Sequence, residues 1–452
     1  MDTIDRKEIV DNVLYLIDAK DEPALKNLVI DFHPADLAEI LQDLEDEERA
    51  YLFSLMTAET ASEVMTELDE VTREDIVSDL ETARLSEIVD EMDSDDAADV
   101  VAELPQDIQV EVLAHIEPQD RAEVEKLLVH EEDSAGGIMA LEYIAVYDDQ
   151  TVQDAVREIR RRADEIDEVF YIYAIDRSGR LVGVVPLKSL FLRNPQQIIR
   201  DIMYKEVISV STEMDQEQVA KIVRKYNLSA VPVVDRNQRL IGRITIDDII
   251  DVLHEEANED IQRMAGISDE EVLQDTSTFR ISRNRLPWLL ISFFGELGSA
   301  LVLNRFNATL EEILISAFFI PVIMATGGNS GIQSSTIVVR SLAMNEAGAT
   351  GLWNRVYREL RVAILNGLIV GALLFAVIFF WKHNMEFGIV GGLAIILVMI
   401  NSAAFGAIVP FALHKFKIDP AIATGPFITT ANDIFGLLIY LGMTSVYLAS
   451  GR

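Results

Sequence analysis

Two short stretches concentrate oxygen donors where the surrounding residues are apolar. Residues 325–336 read ATGGNSGIQSST within the apolar run Ile313 to Val339, and residues 423–436 read ATGPFITTANDIFG within another. Together they offer Asn329, Gln333, Asn432 and Asp433, with Gly328 among the glycines of the first stretch. An oxygen-rich path with one acid suits a hard, hydrated divalent ion, because Mg2+ prefers octahedral oxygen ligands, sheds water reluctantly and is commonly held by one or two carboxylates. Softer metals would call for imidazole or thiolate, yet the chain has no cysteine and no histidine in the core of these runs. Asp433, Asn329, Gln333, Asn432 and Gly328 are therefore the candidate ion-binding residues.

An unpaired backbone amide in hydrocarbon costs several kcal/mol, so broken helix survives there only when protein or a wet cavity surrounds it. Pro321 and the glycines of 325–336 predict such a break beside a polar path. Small residues also permit close helix packing in membranes, but packing alone does not call for Asn329 and Gln333. Two further ionisable groups fall in these runs. Glu296, in FFGELGSA, is either functional or a helix-to-helix hydrogen-bonding group, and Arg340 marks a membrane boundary.

A second set of acids lies outside the apolar runs. In DDIIDVLHEEANEDI (247–261), Asp247, Asp251, Glu255 and Glu259 recur every four residues, with Asp248, Glu256 and Asp260 beside them. Each like-charge pair on a helix costs roughly 0.2–0.5 kcal/mol unless cations neutralise it. Asp90, Glu91, Asp93, Asp95, Asp96 and Asp99 offer a second face of the same sign. Divalent ions bridging two such faces would favour a compact state.

The elements that must position these groups differ sharply in charge. Residues 1–135 hold 41 acids against 9 Lys and Arg, residues 136–285 hold 27 against 20, and residues 286–452 hold 8 against 9. So acidic a surface repels phosphates and concentrates cations, which excludes nucleic acid as a partner. Five apolar segments follow Arg285, at roughly 286–303, 313–339, 362–381, 388–413 and 421–449, each near the ~20 residues that cross a bilayer. Arg280, Arg283, Arg285, Arg340, Arg355, Arg358, Arg361, Lys415 and Lys417 flank one side, against Arg305, Lys382 and Arg452 on the other. This asymmetry places the N-terminal region in the cytoplasm and the C-terminus outside. The opening MDTIDRKEIVDN lacks the apolar run of a secretory signal.

Before the apolar third, two kinds of repetition are visible. DLEDEERAYLF, ELDEVTREDIV, EMDSDDAADVV and HIEPQDRAEVE begin 24 residues apart from Asp43 onward, a period that predicts stacked helix pairs. Residues 139–159 resemble 203–223, and YAIDRSGRLVGVVPLKSL (173–190) resembles VVDRNQRLIGRITIDDII (233–250). Each half joins an amphipathic helix to β-branched runs around a D-R-x-x-R-L-[IV]-G turn. These halves resemble cystathionine-β-synthase (CBS) domains, which form α/β tandems. Thr245 and Asp248 match the pattern that holds a nucleotide ribose in many such domains, whereas the first half has Pro186 and Ser189 there, so the motif supports at most one ATP-type site.

The order of parts, with RLPWLL (285–290), FFIPVIMATGGNSGIQSSTIVVR (318–340) and ATGPFITTANDIFGLLIY (423–440), resembles the MgtE family of bacterial magnesium transporters. Ile332 and Glu296 depart from that pattern. The resemblance implies a multidomain fold: an all-α superhelical N domain (1–135), tandem CBS domains (136–261), a connecting plug-like helix (262–285) and a five-helix membrane domain (286–452). It also implies a homodimeric Mg2+ channel in the inner membrane, with Asp433 as pore acid. Cytosolic Mg2+ is then expected to gather Asp95, Asp96 and Asp99 with Asp247, Asp248, Asp251, Glu255, Glu256 and Glu259, closing the pore through Gln262 to Arg283. The alternative is a CBS-regulated carrier for Co2+, Ni2+ or another solute. An enzyme is not expected, since the six histidines form no H-E-x-x-H and no span pairs a nucleophile with a histidine base.

Overall fold

A computed structural model describes residues 3–163, 166, 169–265, 278–343, 351–420 and 425–450. The chain divides into two compact units, Met1–Glu255 and Glu256–Arg452. The first begins with ten helices: α1 (Thr3–Asp18), α2 (Glu22–Asp31), α3 (Pro34–Gln42), α4 (Asp46–Ser54), α5 (Ala58–Thr66), α6 (Glu70–Asp79), α7 (Thr82–Val89), α8 (Ser94–Glu103), α9 (Gln106–His115) and α10 (Pro118–Leu127). The 24-residue period is a pair of helices, and alternate helices stack: α3 on α5 on α7 on α9, and α4 on α6. Every second helix starts after an acid at the same place in the repeat, Glu45, Asp69, Asp93 and Glu117. A carboxylate there faces the positive end of the helix dipole and free backbone N–H groups. Asp69, for example, accepts from Thr72 N at 2.9 Å. Part of the acidity of the N domain is therefore capping chemistry. The inward residues, among them Leu37, Leu52, Met65, Leu85 and Val101, are fully buried and form one continuous core with the second CBS half.

The two halves fold alike. The first runs β1 (Ile144–Tyr147), α11 (Val152–Arg161), β2 (Tyr171–Ile175), β3 (Leu181–Pro186) and α12 (Leu187–Leu192). The second runs β4 (Val210–Ser211), α13 (Gln216–Tyr226), β5 (Ala230–Val234), β6 (Leu240–Thr245) and α14 (Ile246–Ala265). Each sheet has a parallel pair followed by an antiparallel one, with Ile172 opposite Val185 and Val231 opposite Ile244. The shared turn motif explains itself: Asp176 Oδ1 accepts from the N–H of Ser178 and Arg180, and Asp235 Oδ1 from Asn237 and Arg239. Its fourth position needs a left-handed backbone, taken by Gly179 (φ 81°) and by Gln238 (φ 62°).

The second unit holds α15 (Thr278–Arg305), α16 (Asn307–Glu312), α17 (Leu314–Ala343), α18 (Gly351–Lys382), α19 (Met385–Lys415) and α20 (Pro426–Ala449). Five of these are long and apolar enough to cross a membrane. They overrun the apolar segments because charged flanks such as Arg355, Arg358 and Arg361 continue the helix without interrupting its hydrogen bonds. Similarly, α14 runs past the expected CBS boundary at 261 to Ala265, and residues 266–277 of the expected connector lie outside the described residues. Tyr440 OH donates to Ser316 O at 2.8 Å, joining α20 to α17.

One expectation is corrected. Helix α17 is continuous through ATGGNSGIQSST, so the glycines do not break it. They allow close approach instead: a Cβ at Gly327 would stand 2.6 Å from Val398 Cγ1 and from Asn432 Oδ1, and Gly331 meets Gly406 backbone to backbone. Helices α18 and α19 meet in the same way, since a Cβ at Gly371 would lie 2.7 Å from Gly392 O, whereas Gly442 has nothing within 4 Å. Gly371→Ala is therefore expected to destabilise the protein by about 1–3 kcal/mol through overpacking. Gly442→Ala should be neutral or stabilising by up to about 1 kcal/mol. Thermal unfolding of the two variants in detergent checks the difference.

Candidate cation path and acidic cluster

The membrane site is built where α17 meets α20. Asn432 is buried, and its Nδ2 donates to Met324 O at 3.0 Å and to Asp433 Oδ1 at 3.1 Å. The amide thus ties α20 to α17 and fixes the direction of the neighbouring carboxyl. Gly328 lies across from it, its absent Cβ only 3.6 Å from Asn432 Nδ2. Asp433, Asn432 and Gly328 are thereby brought together. Asn329 and Gln333 remain exposed one helical turn apart on α17, with Ile332, 36% exposed, beside Gln333. The structure therefore does not turn Ile332 inward.

Two polar residues of α19 were missed by the sequence reading. Ser402 is buried with no hydrogen-bond partner for Oγ among the described residues, and Asn401 Nδ2 is in the same position. Gly331 faces Ser402, where a Cβ would come within 2.6 Å of Oγ. The only signal was the pair N-S inside an apolar run. Asp433 also has the Glu296 carboxyl of α15 within hydrogen-bonding reach.

In the first unit, α8 presents Asp95 and Asp96 in its first turn and Asp99 one turn on. Asp95 is pushed well above the usual carboxylate range by burial, then by Asp96, Asp248 and Glu142. Asp96 is pushed up to about 7, by burial and then by Asp248 and Asp93, with Arg73 opposing. Asp99 keeps solvent contact along its side chain, yet its crowded carboxyl also rises to about 7, by desolvation first and then by Glu132. Asp248 and Glu255 of α14 rise by burial too, and Asp251 less deeply placed rises for the same reason. Arg73 is already engaged by Glu103 at 3.0 and 2.5 Å. Glu142, another residue the sequence reading missed, accepts from Ser94 Oγ at 2.9 Å.

The donors are all hard oxygens short of positive charge, which fits a divalent cation. Among the described residues, however, no three of them already stand as a metal cage. Asp247 is exposed on α14, and Glu256 and Glu259 lie farther along that helix, where Glu259 pairs with Arg263. Thr245 donates through N (2.8 Å) and Oγ1 (2.6 Å) to Asp248 Oδ2, an arrangement that caps α14. Separately, a cleft of about 550 Å³ opens between the CBS sheets, lined by Tyr171, Tyr173, Tyr204, Lys205 and Pro232 among others.

Comparison with known proteins follows the same division. A model for the MgtE intracellular N domain matches residues 32–133, CBS-domain models match 135–193 and 199–255, and the MgtE divalent cation transporter model matches 320–443. The chain is 35% identical to the magnesium transporter MgtE of Thermus thermophilus, over 95% of this chain and 96% of that one. The chain belongs to the MgtE family. The Bacillus subtilis magnesium transporter MgtE is 33% identical over 94% of each chain. Among solved structures, the cytosolic domain of the Mg2+ channel MgtE in complex with ATP is 35% identical, with a TM-score of 0.51 over 54% of this chain and 99% of that one. The soluble part of a magnesium transporter gives the same TM-score at 28% identity, over 56% of this chain and 99% of the other. The fold is thus that of the MgtE family: helical N domain, tandem CBS domains and membrane helices.

The raised carboxyls make this MgtE family member sensitive to pH in a defined direction. A carboxyl near 4 in the unfolded chain and near 7 when folded stabilises the folded state below about pH 4, and that stabilisation is lost as pH rises through 7. Thermal unfolding of the full-length protein in EDTA is expected to shift downward between pH 5.5 and 8. The slope should flatten in the double variant Asp96→Asn, Asp99→Asn.

Proposed function

We propose that the protein is a Mg2+ channel or transporter for magnesium uptake, working as a homodimer in the inner membrane, and held closed when cytosolic Mg2+ binds the acidic N and CBS surfaces. The observation that supports this most is Asp433, an acid at membrane depth whose carboxyl is oriented by buried Asn432 at the α17–α20 contact. A hydrated Mg2+ needs oxygen acceptors for its waters and a countercharge, and it needs little direct ligation. Asp433 supplies the charge, while Asn329 and Gln333 offer side-chain oxygens along α17. The two magnesium transporters named above, alike along nearly their whole length, support Mg2+ as the cargo.

For gating, the acidic cluster supplies the sensor. Bringing α8 and α14 together places Asp95, Asp96 and Asp248 in mutual repulsion, and divalent ions between them offset it. Closure of the pore then passes through the connector, Gln262 to Arg283. On α14, Arg263 bonds Asp419 Oδ2 at 2.7 Å, and Asp419 lies shortly before α20 in sequence, the helix that carries Asp433. The basic flanks support a cytoplasmic side for both acidic faces and an outer C-terminus. ATP in a relative's cytosolic domain supports a nucleotide at the CBS pair, in the cleft beside Tyr171 or at Thr245 and Asp248.

Liposome flux followed with an internal Mg2+ indicator tests both parts. Asp433→Ala is expected to lower Mg2+ flux at least about tenfold, and parental flux in that variant removes Asp433 from the path. Asp95→Asn with Asp96→Asn is expected to keep the pore conducting at millimolar Mg2+ on the cytoplasmic face, where the parent closes.

A further inference from the structure

Glu296 is the one acid in the first membrane span, Ile281–Arg305. It sits between two glycines through which α15 approaches α20. Gly295 lies against Thr430, and a Cβ at Gly298 would stand 3.0 Å from Ile434 Cδ1. Larger side chains at either place would separate the helices. The close approach brings the Glu296 carboxyl within hydrogen-bonding reach of the Asp433 carboxyl. Among the described residues, no lysine, arginine or histidine pairs with either group. Two carboxylates this close repel unless a proton or a cation lies between them.

Buried groups nearby indicate which. Asn432 is 2% exposed and its Oδ1 has no hydrogen-bond partner among the described residues, although its Nδ2 is used on Asp433. Ser299, 6% exposed and one helical turn from Glu296, likewise has no partner for Oγ. The Gly327 backbone approaches Asn432 Oδ1 so closely that a Cβ there would stand 2.6 Å from it. Buried acceptors are costly unless something donates to them. A shared proton satisfies only the two carboxyls. A hydrated divalent cation brings both the missing charge and a shell of O–H donors, which the carboxylates, the amide oxygen and the hydroxyl can all accept.

We propose that Glu296 is a second ion-binding carboxylate of the cation path, holding with Asp433 the water shell of one Mg2+ at the α15–α20 contact. This rests on the reading of Asp433 as the acid of the path and adds a second charge from a different helix. A pair of acids favours a divalent ion over a monovalent one, because attraction scales with the charge of the ion while dehydration is avoided.

The test uses full-length protein in liposomes, with Mg2+ flux titrated for the parent, Glu296→Gln, Glu296→Asp and Asp433→Ala. Glu296→Gln is expected to raise the half-saturating Mg2+ concentration about tenfold, as loss of a charge-assisted contact does. Glu296→Asp should restore most of that affinity, which a purely packing role would not do. If Asp433→Ala abolishes flux while Glu296→Gln titrates like the parent, or loses only maximal rate, the assignment of Glu296 is overturned and that of Asp433 stands. If Asp433→Ala keeps parental flux, the underlying reading of the path fails instead.

Discussion

Carboxylates gathered where the chain supplies almost no positive charge set the constraint on which both units depend. In α8 and α14 the crowd is large enough that Asp95, Asp96, Asp99 and Asp248 all rise out of the ordinary range, with Arg73 already bound to Glu103. At the α15–α20 contact two acids meet with no basic partner among the described residues. A fold that keeps such groups together spends packing energy to oppose their repulsion. That is a sensible expense only where protons or metal ions arrive from solution.

Glycine provides the means in the membrane unit. Between lipid and protein there is little hydrophobic gain from burying one apolar helix against another, so close backbone packing and a few hydrogen bonds hold the helices together. Gly327, Gly331, Gly371, Gly392 and Gly406 create those contacts, and Asn432 and Tyr440 add hydrogen bonds from α20 to α17. The carboxyl of Asp433 is positioned as a consequence of that packing. In the first unit the same task falls to helix N-termini: Asp93 precedes α8 and Thr245 with Asp248 opens α14, so acids that begin helices also line the proposed sensor.

The acidic stripe lies on one long helix. α14 follows β6, opens with Thr245 and Asp248, carries the acidic stripe and runs to Ala265. Glu259 holds the same arginine that binds Asp419, so the stripe and the membrane-side contact share a residue.

The 24-residue repeat, the duplicated turn motif and five apolar runs each report a local regularity that burial imposes on sequence, whereas the CBS fold and the order of domains came from the family resemblance. Asp433 stood out in the sequence for a related reason, as an acid among apolar residues. What only the tertiary structure decided were contacts between residues far apart in the chain. Glycines in 325–336 look the same in sequence whether they break a helix or let another backbone approach, and only the positions of Val398, Ser402 and Asn432 show the second. Glu296 could not be paired with Asp433 from sequence, because 136 intervening positions say nothing of which helices touch. Ser402 and Glu142 were missed likewise: a lone serine or glutamate acquires meaning from its surroundings, and those surroundings come from packing.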